Sequence, residues 1–428
     1  MKHTVEEVRL SNGARGLLID VPGATVMSFQ FQFRAGNRYV ANKDIYETAH
    51  IMEHMAFGAN ARFRNEHEFE AEFTKNGAYH NAYTSDMSMV YVADCADFEW
   101  ERIFDLQRVS ICQPRFNPDE LEAEKGNVKS ELTGYLNNHN RVLWPKVQQL
   151  LGEDVYTFNQ RLKTIANVTL KDIKEHHNRT HTAKNMRFVI AGKLHGRKSE
   201  IKRQLEDWEL KEGERFDAPH DLFSAGNPTL IRRKEASNLT FAWSMIAPRE
   251  LSDEESDAMN CLDHILTGTM HSRIYGAARK KGLAYGMFSD TSVGFHDSSW
   301  DFGGQVNLET SGALFDIIVR ELGQVLDGKI TEAEIDAAKS YALGRHQMGA
   351  QTVAQISNFY TNRYFADGEV KDYEKVPESI THTSRDVMIN TAREFIDHNI
   401  SVLAGVSSGE KQDIVELSSK LETLFVKK

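Results

Sequence analysis

The chain has 428 residues, 40% hydrophobic and 26% charged, with a formal net charge of −11 and three cysteines. That length is more than one simple core serves, so more than one domain is expected. The acidic balance argues against nonspecific nucleic-acid binding, and no run of about 18 apolar residues is present to span a bilayer. Cys95, Cys112 and Cys261 lack C-x-x-C spacing and read as buried free thiols in a reducing compartment. The opening Met1-Lys2-His3-Thr4-Val5-Glu6-Glu7 has early acids and no apolar core. Neither a secretory nor a mitochondrial import signal is expected there, and a cytoplasmic location follows.

In chain order, apolar runs at 26–34 and 88–95 predict strands. Between them lies His50-Ile51-Met52-Glu53-His54. Ile45, Ala49, Met52 and Ala56 form an apolar stripe at helical spacing, with Asn42 or Asp44 as cap and Gly58 as stop. His50, Glu53, His54 and Phe57 share another face, as on a helix that packs on a core and keeps a free side. Two histidines four apart suit two corners of a tetrahedral metal site. Glu53, beside the second histidine, is placed to take a proton from water. The order H-x-x-E-H reverses the common H-E-x-x-H metallopeptidase helix and defines the inverzincins. Such a site needs a third protein ligand. Asn117-Pro118-Asp119-Glu120 is a helix start, with Asn as N-cap, Pro at the first position and acids in the first turn. The helix that follows carries Glu124 and Glu131 two turns apart on one face. Glu131 lies 77 residues beyond His54 (131 less 54).

The end of the first half reads Thr169-Leu170-Lys171-Asp172-Ile173, a helical run, a strand at 186–191 and Gly192. The end of the second reads Thr383-Ser384-Arg385-Asp386-Val387, a helical run, a strand at 400–404 and Gly405. The offset is 214 at Thr169/Thr383, Asp172/Asp386 and Asn185/Asn399. Further strands are expected at 239–246 and 300–307. Each half is therefore predicted to be an α+β domain, a mixed or antiparallel sheet covered by helices. The domains are 1–212, which binds metal, and 228–428, which is related and does not, with a charged, Gly- and Pro-containing linker at 213–227. Aligning Gly58 with Gly268 sets Asn260, Asp263 and His264 opposite His50, Glu53 and His54. One metal site per chain follows. His176, His177 and His181 have no carboxylate partner at metal-site spacing and are expected at a solvated helix end.

Taken together, His50-x-x-Glu53-His54 and the distal Glu131 resemble the site of the pitrilysin, insulin-degrading enzyme and mitochondrial processing peptidase family, in its short, half-length type. The resemblance covers nearly the whole chain on four motifs in order. It implies that His50, His54 and Glu131 bind Zn2+ and that Glu53 activates water. Glu124 would join the catalytic group as an acid that supports the site without ligating. Asn81-Ala82-Tyr83-Thr84-Ser85 is similar to the family's N-A-x-T-S strand, whose backbone pairs with bound peptide. Arg279 through Gly282-Leu283-Ala284-Tyr285 is similar to its R-x-x-x-G-L-A-Y signature, whose Arg and Tyr contact substrate. The family spaces those two residues seven apart, and here they are six apart. Anchoring on Tyr285 puts Ala278 in the arginine's place, whereas anchoring on Ser272-Arg273 recovers Arg279. A one-residue shift turns a helical side chain by about 100°.

The resemblance thus implies a zinc-dependent endopeptidase acting on unstructured peptides or precursor segments, which bind as an added strand. At about half the length of the full clamshell relatives, the chain is expected to form half of a closed chamber. A homodimer, or a heterodimer with a related chain, would complete it. The alternative is a catalytic or scaffold subunit of a processing complex that needs a partner chain to bind substrate.

Overall fold

A computed structural model describes residues 1–425, and within them the chain builds two mixed sheets in two units. Unit 1 comprises Met1–Gly134, Asn159–Pro219 and Met348–Lys371, and unit 2 comprises Tyr135–Phe158, His220–Gln347 and the chain from Asp372 on. The sheet of unit 1 contains β1 (Thr4–Arg9), β2 (Arg15–Asp20), β3 (Val26–Phe33), β4 (Tyr79–Thr84), β5 (Met89–Ala96) and β6 (Arg187–Gly192), in the order β1-β2-β6-β3-β5-β4. That of unit 2 contains β7 (Thr229–Arg232), β8 (Asn238–Ala247), β9 (Ala284–Val293), β10 (Ser298–Asn307) and β11 (Ser401–Ser407), in the order β7-β11-β8-β10-β9. In each sheet one pair is parallel, β2 with β6 and β7 with β11, and the rest are antiparallel. Five strands of each sheet thus match in order and direction, as the internal repeat predicts. All six strands expected from sequence are present, within three residues at either end.

Alternation in β3 shows how sequence makes the layers. Met27, Phe29, Phe31 and Phe33 point to one face and are fully buried. Phe29 meets Phe104 with ring centroids 5.5 Å apart, and Phe31 meets Trp208 at 4.8 Å. Gln30 points the other way, and its amide donates to Ser357 and Asn358 at 3.0 and 2.7 Å. Those two residues lie on the helix Val353–Ala366, which comes from the second half of the sequence.

The first half returns the exchange. Its helix His139–Leu151 lays Leu143, Val147 and Leu151, one turn apart each, on Ala242, Ile246, Val402, Ala404 and Val406 of β8 and β11. The two exchanged segments, 135–158 and 348–371, lie 213 residues apart at both ends (348 less 135, 371 less 158). The exchange is therefore part of the repeat. The units are not contiguous stretches, although the chain does pass between them inside the expected linker, at 219/220. Residues 212–228 form no helix or strand.

Helix starts follow the sequence with one difference. Thr169 and Asp172 form a reciprocal cap on Leu170–Thr180, and Ser384 caps Arg385–His398. Asn42, however, caps the single turn Lys43–Ile45, its side chain accepting from Asp44 N–H at 3.0 Å. The motif helix Thr48–Met55 begins later, after Glu47, without a side-chain cap.

Candidate metal centre

Two helices of unit 1 build the centre. Ala49, Ile51 and Met52 bury one side of Thr48–Met55, which leaves Glu53 and His54 partly exposed on the other. The turn that leaves the helix is fixed to the first turn of Pro118–Tyr135, where Ala59 N–H donates to Glu120 Oε1 at 2.8 Å. A Cβ at Gly58 would come within 3.0 Å of that carboxylate, so the smallest residue suits the crossing. With the helices tied there, Glu124 and Glu131 follow on the face toward the histidines.

His50 Nε2 lies 3.4 Å and His54 Nε2 3.5 Å from Glu131 Oε2. The ligand atoms of the three residues all fall within 4.8 Å of one another, the single such group of His, Cys, Asp or Glu among the described residues. The two imidazoles stand nearly perpendicular, 5.0 Å apart. Each Nδ1 is engaged on the far side: His50 with Glu47 Oε2 and His54 with Glu124 Oε2, both at 3.0 Å. An ionised carboxylate only accepts, so both rings donate from Nδ1, which leaves Nε2 of each as the atom a metal would take. Two imidazole nitrogens and a carboxylate oxygen are a fitting donor set for zinc with one position left open. Carboxylates behind metal-binding histidines are the usual support.

Electrostatics agree with the donor set. Burial disfavours protonation of His50, but its bonds to Glu131 and Glu47 outweigh that and raise it. His54 is likewise opposed by burial, yet Glu124, Glu131 and the charge of Glu53 push it up to about 10. The field of these acids calls for positive charge between the rings, which a divalent cation satisfies.

Sequence reasoning missed Glu47 and Arg161. Glu47 is fully buried, and Arg161, on the helix Phe158–Thr164, grips it with Nε to Oε1 at 2.5 Å and Nη2 to Oε2 at 3.0 Å. The signal for Glu47 was its position three residues before His50, one turn back on the same face.

The remaining predicted site residues lie elsewhere. Asn81 and Ala82 stand on β4, the edge strand of the first sheet, with Tyr79 and Tyr83 exposed beside them. Ala82 N–H is held by Asn81 Oδ1 at 3.0 Å. In unit 2, Tyr285 is 83% exposed at the start of the edge strand β9, and the Arg279 guanidinium sits 4.6 Å over its ring. Ala278 is fully buried, so Arg279 is the residue that reaches Tyr285. A cavity of about 690 Å³ beside Tyr285 is lined by Asn137, Asn140, Thr240, Phe288 and Gln305 among others.

Opposite the motif, Asn260 is exposed, Asp263 is buried, and His264 stacks on Tyr341 with centroids 3.9 Å apart. The expectation of a solvated histidine cluster is corrected. His176 and His181 are buried and His177 partly so, because Ala35 O, Ile111 O and the Tyr91 hydroxyl supply their partners from other elements. All three cysteines are free. Among the described residues no helix is long and apolar enough to cross a membrane.

Comparison with known proteins gives a consistent result. Residues 17–167 match the family described as insulinase, peptidase family M16, and residues 167–341 match the peptidase M16 inactive domain. The chain is 23% identical to an uncharacterized zinc protease of Rickettsia felis, over 92% of this chain and 96% of that protein. It is 28% identical to the mitochondrial-processing peptidase subunit beta of Caenorhabditis elegans, over 43% of this chain and 40% of that protein. Among solved structures, a protease from Helicobacter pylori superposes with a TM-score of 0.83 at 18% identity, covering 95% of this chain and 100% of that one. A peptidase M16 inactive domain from Pseudomonas fluorescens gives 0.84 at 16% identity, covering 95% and 99%.

Proposed function

The chain belongs to the M16 family of peptidases in its half-length form, and from that premise we propose that it is a zinc-dependent endopeptidase for unstructured peptides. The observation that carries the reading is the convergence of His50 Nε2, His54 Nε2 and a Glu131 oxygen, with both Nδ1 atoms turned to carboxylates. Those three residues would hold one Zn2+ per chain. Zinc, when bound, supplies Lewis acidity that polarises a scissile carbonyl and makes water a stronger acid.

The rest is work for side chains. Glu53 takes the proton of the attacking water and passes it to the leaving amine. Glu124 keeps His54 in the tautomer with a free Nε2. An extended peptide adds to the edge strand β4 along Asn81 and Ala82, so its binding rests on backbone hydrogen bonds and folded proteins are poor substrates. Arg279 and Tyr285 present a cation stacked on an aromatic ring as the second substrate contact. Closure of a chamber by a second chain, identical or related, belongs to this reading through the family resemblance.

A second reading draws on the similarity to a protein named as a subunit of mitochondrial-processing peptidase. In it the chain needs a partner before it cuts. Purified protein and its Glu53→Gln variant, offered a pool of unstructured peptides of about 10–30 residues with chelator and zinc add-back, separate the cases. Chelator-sensitive cleavage absent from the variant supports a self-sufficient enzyme. Bound zinc without cleavage supports the partner-dependent form, and cleavage by Glu53→Gln contradicts the mechanism.

A further inference from the structure

Glu47 is the carboxylate of the centre that no motif marks, and its surroundings say what it does. It is fully buried, and a buried carboxylate persists only where it is paired and hydrogen-bonded. Arg161 supplies the pairing from a position 114 residues away, through both Oε1 and Oε2. The same Oε2 faces His50 Nδ1 at 3.0 Å, and Arg161 Nη2 itself lies 3.4 Å from that nitrogen.

The donor inventory turns this triangle into a choice of tautomer. Arginine has donors and no acceptor. Facing Arg161 alone, His50 would offer Nδ1 as acceptor and carry its hydrogen on Nε2, the atom 3.4 Å from Glu131. That tautomer gives its hydrogen to Glu131 and has no lone pair for a metal. With Glu47 between them the choice reverses: the carboxylate takes the Arg161 donors and still accepts from His50 Nδ1–H.

We propose that the Glu47–Arg161 pair is a positioning device for His50, fixing the tautomer and ring orientation with which it ligates zinc. Glu47 touches neither metal nor substrate. The inference rests on the reading of His50, His54 and Glu131 as the zinc ligands. Glu124 plays the matching part behind His54, but without an arginine, being bonded by Asn127 at 3.1 Å.

The test measures zinc affinity by competition with a chelator, and the thermal stability of zinc-free protein. It uses wild type, Glu47→Gln, the double variant Glu47→Gln/Arg161→Met and, as a control, His50→Ala. Glu47→Gln should bind zinc about 10- to 100-fold more weakly, the usual loss for such a supporting partner, and should be less stable because the buried Glu47–Arg161 ion pair is broken. The double variant should regain stability and still bind at least about tenfold more weakly than wild type. That split is one a merely structural pair would not give. The inference is overturned if Glu47→Gln matches wild type in affinity, or if the double variant recovers affinity together with stability. Where Glu47→Gln does not fold, the double variant decides, and a double variant that also fails to fold makes Glu47 a folding residue and overturns the inference. Wild type without zinc, or His50→Ala with undiminished affinity, instead overturns the reading beneath it.

Discussion

The helix Thr48–Met55 in unit 1 and the helix Asp253–Thr267 in unit 2 follow equivalent strands, β3 and β8, and precede equivalent edge strands, β4 and β9. Their polar residues meet different fates. In unit 1 the helix turns two histidines toward a carboxylate of the long helix Pro118–Tyr135. In unit 2, His264 stacks on Tyr341 of Glu332–Met348, and Asn260 faces solvent. The acid before the second histidine differs most. Glu53 is partly exposed beside His50 and His54, whereas Asp263 is buried, accepting from Trp300 Nε1 at 2.9 Å and Thr291 Oγ1 at 2.8 Å. One fold position therefore serves as chemistry or as core. What decides it is the neighbouring strands, which in unit 2 bring a tryptophan and a threonine to claim the carboxylate.

The largest effect that could break this contrast is on catalysis. Glu53→Gln should lower peptide hydrolysis by at least about 100-fold while keeping zinc, whereas Asp263→Asn should leave both hydrolysis and zinc content unchanged. Rate and metal content of the two proteins check this together. Next in size, Glu131→Gln should weaken zinc binding beyond the about 10- to 100-fold expected for a supporting residue, measured by chelator competition. Tyr341→Glu should add no second zinc, since Asn260 supplies no imidazole. Metal analysis would show one equivalent per chain, and two would contradict the contrast.

Smaller, and of opposite sign for three buried histidines of unit 1 and for Asp263 of unit 2, is the dependence of stability on pH. Burial pushes His176 and His177 down to about 4 and His181 well below its ordinary value. Their unfolded forms bind protons more readily, so these histidines take stability away as pH falls from about 6.5 toward 4, on the order of a few kcal/mol. In unit 2, burial pushes Asp263 up to about 7 against the hydrogen bonds it accepts. A raised carboxyl contributes stability that is full below its unfolded value of about 4 and is lost as pH rises through 7. Thermal unfolding of wild type and Asp263→Asn from pH 4.5 to 7.5 tests the pair. The variant should gain relative to wild type as pH rises, and a difference that is flat with pH would refute the assignment to Asp263.

These differences also mark what the sequence could disclose. The candidate centre was legible because a metal demands fixed residue types at fixed spacing, and His50, His54 and the capped helix bearing Glu131 meet that demand locally. The strands were legible because alternation such as Met27, Phe29, Phe31 and Phe33 is local too. Glu47 and Arg161 were not, since their bond spans 114 residues and has no periodicity. Nor was the exchange of the helices His139–Leu151 and Val353–Ala366, because an amphipathic face states that it needs a sheet without stating which one. The buried histidines followed the same rule, for a polar side chain is core only when acceptors such as Ala35 O arrive from elsewhere. The offset of the repeat did reveal Asp263, but only the fold showed that Trp300 holds it.

The central claim is that this chain binds one zinc ion, in unit 1 and through His50, His54 and Glu131. Anomalous X-ray scattering at the zinc edge, recorded from crystals of zinc-loaded protein, tests it most directly. The account predicts one peak per chain, within bonding distance of His50 Nε2, His54 Nε2 and a Glu131 oxygen, and none beside His264. A peak held by other residues, or none at the His50–His54–Glu131 site, would contradict it.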